Sequence, residues 1–276
     1  MNVKRNLVLA AAAAATAIGL LLTTAAISNG QTVPNHSHGV KPTIVLVHGA
    51  WADGSSWSAV TERLQKQGYT VDVPPNPLRG VTTDSDNLRA FLDTIQGPIV
   101  LVGHSYGGVV ISNAATGNHN VRSLVYVDAY LPDTGESLGQ LTEAEPGSAL
   151  AVEDPSTVFN AVKIPNGGGN VDLYVKQSLF PQIFAAGIER HKAAALAAGQ
   201  RPLAGSALSD ASGVPAWKSI PSWTLIGTAD KVLPPAEQRF MADRAGSHVV
   251  KIDAPHLSMV AKPSAVADLI TDAARS

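Results

Sequence analysis

A serine bracketed by glycines, Gly103-His104-Ser105-Tyr106-Gly107, follows directly on the apolar run Ile99 to Val102 and precedes Val109-Val110-Ile111. A strand, a sharp turn and a helix in that order lift a serine hydroxyl above the edge of a sheet, and the glycines let strand and helix approach closely. A serine hydroxyl is a weak nucleophile at neutral pH, so it needs a base within hydrogen-bond reach and a group that orients the base. Of the eight histidines, His256 stands in Ala254-Pro255-His256-Leu257, a loop between the last weak strand and the C-terminal helix. It is the expected base. His248 falls on the strand itself, His48 and His104 read as local structural residues, and His119 and His191 read as surface residues.

The orienting acid is expected between serine and histidine in chain order, at the end of a strand. Asp230, in Gly227-Thr228-Ala229-Asp230 after Trp223 to Ile226, is the favoured candidate, and Asp128, after Val125-Tyr126-Val127, is the competitor. Acyl transfer also requires donors for the oxyanion, each worth on the order of 3 kcal/mol of barrier. The main-chain N–H of Tyr106 at a helix N-terminus supplies one, and Ala50, in the loop His48-Gly49-Ala50-Trp51, supplies the other. Trp51, Tyr174, Phe180 and Phe184 are the expected walls of a substrate pocket.

Elements able to hold these residues are visible around them. Thr43 to Val47, Ile99 to Val102, Leu124 to Val127 and Trp223 to Ile226 are continuous apolar runs, as in strands buried on both faces. Tyr69 to Val73 and His248 to Ile252 are weaker. Leu88, Phe91, Leu92 and Ile95 mark one apolar helix stripe, and Trp57, Val60 and Leu64 another. This alternation predicts a parallel sheet covered on both faces. It stops after Asp128 and resumes near Pro221, leaving an insertion of about 131–220. Within it lie a loop at Gly167-Gly168-Gly169 and a helix predicted to open at Pro181 and close at Gly199. An insertion leaving the carboxyl end of a strand is placed to cover a site there, so a helical cap is expected.

Bulk composition narrows the field. Apolar residues make up 45% of the 276 and charged ones 15%, which suits a globular enzyme. Lys plus Arg (20) is balanced by Asp plus Glu (22), so no positive excess is available for nucleic acid. Without cysteine, thiolate chemistry and disulfides are excluded. Lys4 and Arg5 precede an Ala/Leu-rich run from Leu7 to Leu22 and then small residues, the pattern of an export signal over 1–28 cut after Ala26 or Ser28. An uncleaved membrane anchor is the alternative. Residues 29–41 read as a linker, where His36 and His38 are solvated.

Taken together, Val47-His48-Gly49-Ala50-Trp51, Gly103-His104-Ser105-Tyr106-Gly107-Gly108, Gly227-Thr228-Ala229-Asp230 and Pro255-His256 resemble the α/β-hydrolase superfamily. Within it the chain resembles the branch of small esterases that includes plant methyl-ester hydrolases and hydroxynitrile lyases. The resemblance spans nearly everything from Pro42 onward and is weakest across the cap. It implies a Ser–Asp–His triad, a mainly parallel sheet and no cofactor, and a cap of about ninety residues with several aromatics is expected to enclose small to medium, mostly apolar esters. A carbon–carbon lyase and a non-catalytic ligand receptor remain open on the same scaffold. In the lyases a lysine follows the histidine, whereas here that position is Leu257, and Lys231 is the nearest alternative in sequence.

Overall fold

The computed structural model describes residues 40–276. The expected export signal, and all of the expected linker but its last two residues, lie outside the described residues.

Six strands form one sheet: β1 (Thr43–Val47), β2 (Val71–Asp72), β3 (Ile99–His104), β4 (Val121–Val127), β8 (Ser222–Gly227) and β9 (His248–Ile252). Their order is β2-β1-β3-β4-β8-β9, and every pairing is parallel. The runs that read as strands buried on both faces are so: every residue of β3 and β8 is buried. The weak stretch from Tyr69 shrinks to the two residues of β2 at the sheet edge.

Four helices connect or close this sheet: α1 (Ser58–Lys66), α2 (Val81–Leu92), α3 (Tyr106–Ala114) and, at the C-terminus, α9 (Pro263–Arg275). The chain steps outward from β1 to β2 and then back across to β3. Right-handed crossovers therefore send α1 and α2 to opposite faces. Helix α9 packs on α1 and α3 on α2, which covers both faces. The reversal of direction falls between β1 and β3, and the crevice at their carboxyl ends is where an open α/β sheet accepts a ligand.

Between β4 and β8 the chain builds the cap. Where a helical cap is expected, the structure adds a sheet: β5 (Phe159–Lys163), β6 (Val171–Val175) and β7 (Leu203–Ala204) pair antiparallel in that order. The triple glycine is the turn of the β5–β6 hairpin. Helix α4 (Leu138–Ala144) precedes the cap sheet, and α5 (Phe180–Ile183) and α6 (Arg190–Ala198) interrupt it. The single helix predicted from Pro181 to Gly199 is thus two. Gly187 takes φ +82° between them, and the Glu189 carboxylate caps the second by accepting from the His191 and Lys192 N–H groups. After β8, α7 (Pro235–Arg244) leads to β9, and the one-turn α8 (Ser258–Ala261) follows the loop of His256.

Candidate active site

The residues singled out by their chemistry all leave the carboxyl ends of sheet strands: Ala50 after β1, Ser105 after β3, Asp128 after β4, Asp230 after β8 and His256 after β9. Ser105 has φ +53°, a region that non-glycine residues avoid. The packing around it enforces this conformation. A Cβ on Gly103 would stand 2.6 Å from the Gly107 carbonyl oxygen, and one on Gly49 would stand 2.7 Å from the Ser105 Cβ. Strand and helix of the elbow are therefore in backbone contact at Gly103, and elbow and β1 loop are in contact at Gly49, so a larger residue at either glycine would force its neighbours apart.

His256 is fully buried, and its Nδ1 lies 2.8 Å from Asp230 Oδ2. Asp230 collects three further donors: the N–H groups of Val232 (2.7 Å) and Leu233 (3.0 Å) on Oδ1, and the Gln238 amide (2.8 Å) on Oδ2. Burial, the largest effect, raises the Asp230 carboxyl above the usual carboxylate range, and these donors, which favour the carboxylate, only limit the rise. With three other N–H groups aimed at it, the Asp230 side chain is an acceptor, and Nδ1 is the donor in the His256 pair. Nε2 then carries the lone pair, and it has no hydrogen-bond partner among the described residues. Burial pulls the imidazole down to about 3 from the usual 6.5, so it is neutral at pH 7.

Asp128, the competing acid, is buried at φ +46° and does not reach His256. It accepts instead from the Gly227 N–H (2.8 Å) and the Ser258 N–H (3.2 Å), tying the end of β8 to α8. Burial, and next the nearby Asp230 charge, push it well above the carboxylate range.

Neither Ala50 nor Tyr106 donates its N–H to a main-chain carbonyl among the described residues, and both line the cavity that reaches Ser105. That cavity measures about 160 Å³ and is walled mainly by apolar side chains, among them Leu138, Leu150, Phe159 and Leu173. Trp51 lines it as expected, but Tyr174, Phe180 and Phe184 do not. Strand alternation explains the first: Leu173 faces the cavity, so Tyr174 is turned to the other side of the cap sheet. Phe180 and Phe184 are buried beneath it instead, stacked at 4.9 Å. Phe184 stands edge-on to His256 at 5.4 Å and to Trp51 at 5.6 Å. Gln238 escaped the sequence reading because nothing local marks a glutamine four residues into α7 as a carboxylate partner. The carboxylate's unfilled acceptors were the available signal.

With this geometry in view, residues 44–269 match the model of the Alpha/beta hydrolase family, and the chain belongs to that family. A carbendazim hydrolyzing esterase from Nocardioides sp. (strain SG-4G) is 38% identical over an alignment covering 34% of this chain and 44% of that protein. The chain thus spans less than half of that relative's length. The alpha/beta hydrolase nvfD of Aspergillus novofumigatus (strain IBT 16806) is 27% identical across 85% of this chain and 97% of its own. Among solved structures, polyneuridine aldehyde esterase superposes with a TM-score of 0.72 at 19% identity, covering 84% of this chain and 98% of that one. An extracellular alpha/beta-hydrolase from a Paenibacillus species gives 0.71 at 20%, covering 85% and 100%. These solved structures share the fold of this chain.

Proposed function

We propose that the protein is a serine hydrolase that cleaves small, mainly apolar carboxylic esters through an acyl-enzyme. The observation that carries this reading is the Nε2 of His256, without a partner among the described residues, buried and oriented through Nδ1 by Asp230, at the same end of the sheet as Ser105. A buried lone pair with nothing to accept is a site waiting for a proton. In the proposed reaction, Ser105 Oγ attacks the ester carbonyl while its proton passes to His256 Nε2. The oxyanion is held by the free N–H groups of Ala50 and Tyr106. The tetrahedral adduct collapses, the alcohol leaves with the proton from His256, and water then repeats the sequence to release the acid and regenerate Ser105. Oγ and Nε2 are not hydrogen-bonded at rest, and contacts of this kind tighten when substrate binds.

Three features favour hydrolysis of esters over the alternatives. Leu257 stands where the lyases that the motifs resemble have a lysine, and it is buried, offering a departing anion neither charge nor donor. Lys231 is exposed, away from the cavity. The 38%-identical relative is named for esterase activity, on carbendazim. For location, Lys4, Arg5 and the apolar run behind them support export with cleavage of the leader.

The test is a panel of p-nitrophenyl esters together with a fluorophosphonate label. Short acyl chains should turn over fastest, matching the small cavity, and Ser105 should be the labelled residue. Ser105→Ala and His256→Ala should each lower the rate by about 10⁴-fold or more, since such residues act as a unit. A folded variant retaining over about a tenth of the activity overturns the assignment. Ser105-dependent cyanide release from mandelonitrile exceeding ester turnover favours the lyase, and an unlabelled Ser105 favours a receptor.

A further inference from the structure

His104, the residue before Ser105, is fully buried, and its ring does something that its place in the sequence does not announce. Its Nε2 lies 2.9 Å from the main-chain oxygen of His256, a residue 152 positions away. A carbonyl oxygen can only accept, so Nε2 carries the proton and donates. Nδ1 is then a bare lone pair. It has no partner among the described residues, and a Cβ on Gly49 would stand 3.1 Å from it. The same ring lies 4.7 Å, centre to centre, from the His256 ring and takes the Trp57 indole edge-on at 6.5 Å. One side chain thus contacts the loop after β1 and the loop after β9, and is covalently joined to the residue that bears the hydroxyl.

We infer that His104 is a positioning residue: its hydrogen bond to the His256 carbonyl sets the separation of elbow and base loop, and so keeps Ser105 and His256 aligned for proton transfer. The chemistry asks for a donor of this length that stays uncharged. Lysine or arginine would bring a permanent charge next to the imidazolium formed in turnover. Histidine avoids this because burial, and then the His256 charge, drive its pKa well below the ordinary range. The Asp230 bond fixes the orientation of the His256 ring, whereas the His104 bond fixes the backbone from which that ring hangs. The two controls are separate, and a misplacement of about 1 Å costs on the order of 10²-fold in rate.

The inference rests on the ester-hydrolase reading, and the experiment separates the two. His104→Gln keeps an N–H donor at nearly the position of Nε2, His104→Asn places the same amide one methylene short, and His104→Leu removes the donor. For each, kcat and KM on a short-chain p-nitrophenyl ester, the rate of fluorophosphonate labelling at Ser105 and the melting temperature are measured. The Asn and Leu variants should lose about tenfold to a hundredfold in kcat with KM within about twofold, and the labelling rate should fall in step. The Gln variant should recover to within about threefold of wild type. Should Leu fail to fold, the Gln and Asn pair decides the matter alone, since they differ only in reach. Folded Asn or Leu enzyme labelled at the wild-type rate, or Gln as slow as Asn, overturns the inference. If the wild type itself is not labelled, the hydrolase reading falls and takes this one with it.

Discussion

The parallel sheet and the cap hold the site in different ways. The sheet delivers each residue by backbone alone, in the loop just beyond the carboxyl end of a strand, and a side-chain change in the core alters that delivery only by moving the strand. The cap makes a handful of specific bonds, and they go to the loops that matter. Trp51, beside Ala50, donates its indole N–H to the Leu173 carbonyl (2.8 Å) and its main-chain N–H to the Arg201 carbonyl (3.0 Å). Leu257, beside His256, donates to the Phe184 carbonyl (3.2 Å). On the loop of Asp230, the carbonyls of Lys231 and Val232 accept from the Ala149 N–H (2.8 Å) and the Ser148 hydroxyl (2.6 Å). The sheet therefore decides where the loops begin and the cap decides how they are held once they leave it, so the cap is part of the machinery and more than a cover.

The largest expected break in this comparison lies within the sheet-borne loops. Asp230→Asn removes the carboxylate that orients His256 and should cost on the order of 10⁴-fold in kcat, because the amide favours the wrong tautomer. Asp128→Asn should cost less than about tenfold, since it disturbs only two main-chain bonds to Gly227 and Ser258. Both are measured as kcat on one ester, and the reverse ranking would hand the orienting role to Asp128.

How much of this was legible in sequence divides along the same line. Strands buried on both faces announce themselves as uninterrupted apolar runs, and the nucleophile elbow that Gly103 to Gly107 resembles implies the order Ser, Asp, His, so Ser105, Asp230 and His256 could be proposed without coordinates. The cap strands carry no such mark. β5 is Phe-Asn-Ala-Val-Lys with four of five residues exposed, a pattern that reads as loop until β6 lies beside it. Tyr174 was expected in the pocket because it is large and aromatic, but alternation on a strand that sequence did not reveal turned it away. The bond of His104 to a residue 152 positions distant belongs to tertiary structure, and periodicity has no access to it.

The cap's hold on the loop proposed to supply an oxyanion donor is tested by Trp51→Phe. Phenylalanine keeps a ring for Phe159, which stacks on Trp51 at 5.4 Å, but loses the bond to Leu173. Trp51 also sits at φ +55°, so its loop needs support from outside to keep that conformation. A fall of about tenfold in kcat with little change in KM is expected, as for an oxyanion donor displaced rather than removed. An equal rise in KM would mean that Trp51 serves binding and not the alignment of Ala50.

Burial beneath the cap aromatics also has a pH consequence. As the proposed base, His256 works only when neutral, and because burial lowers its pKa in the folded protein, activity should be lost only as pH falls through that lowered value. The acid limb of kcat/KM should therefore have its midpoint well below 6.5. At pH 5.5, where an unperturbed histidine would leave roughly a tenth of the activity, most of it should remain. A midpoint at or above 6.5 would show that Asp230 stabilises the imidazolium more than burial disfavours it. Removing part of the covering with Phe184→Ala should move the midpoint upward.

The smallest effect expected concerns the one formal charge that the cap brings to the cavity. Glu143, exposed on α4, lines the cavity, whose other walls carry no ionised side chain among the described residues. The Tyr130 and Thr142 hydroxyls within it are bonded to each other at 2.8 Å, and Thr142 also donates to the Leu138 carbonyl (2.7 Å), so the wall offers a charged substrate little else to engage. A charge on the substrate ~10 Å from Glu143 in a watery mouth changes kcat/KM by only about twofold, favourably for a cation and unfavourably for an anion. The ratio between a cationic and an anionic ester of equal size should then be about fourfold, should collapse in Glu143→Gln, and should shrink with added salt, because the Debye length near 0.15 M is about 8 Å. A neutral ester should respond to neither change. If the ratio survives in Glu143→Gln, the discrimination comes from somewhere other than the cap's charge, and the cap selects by volume alone.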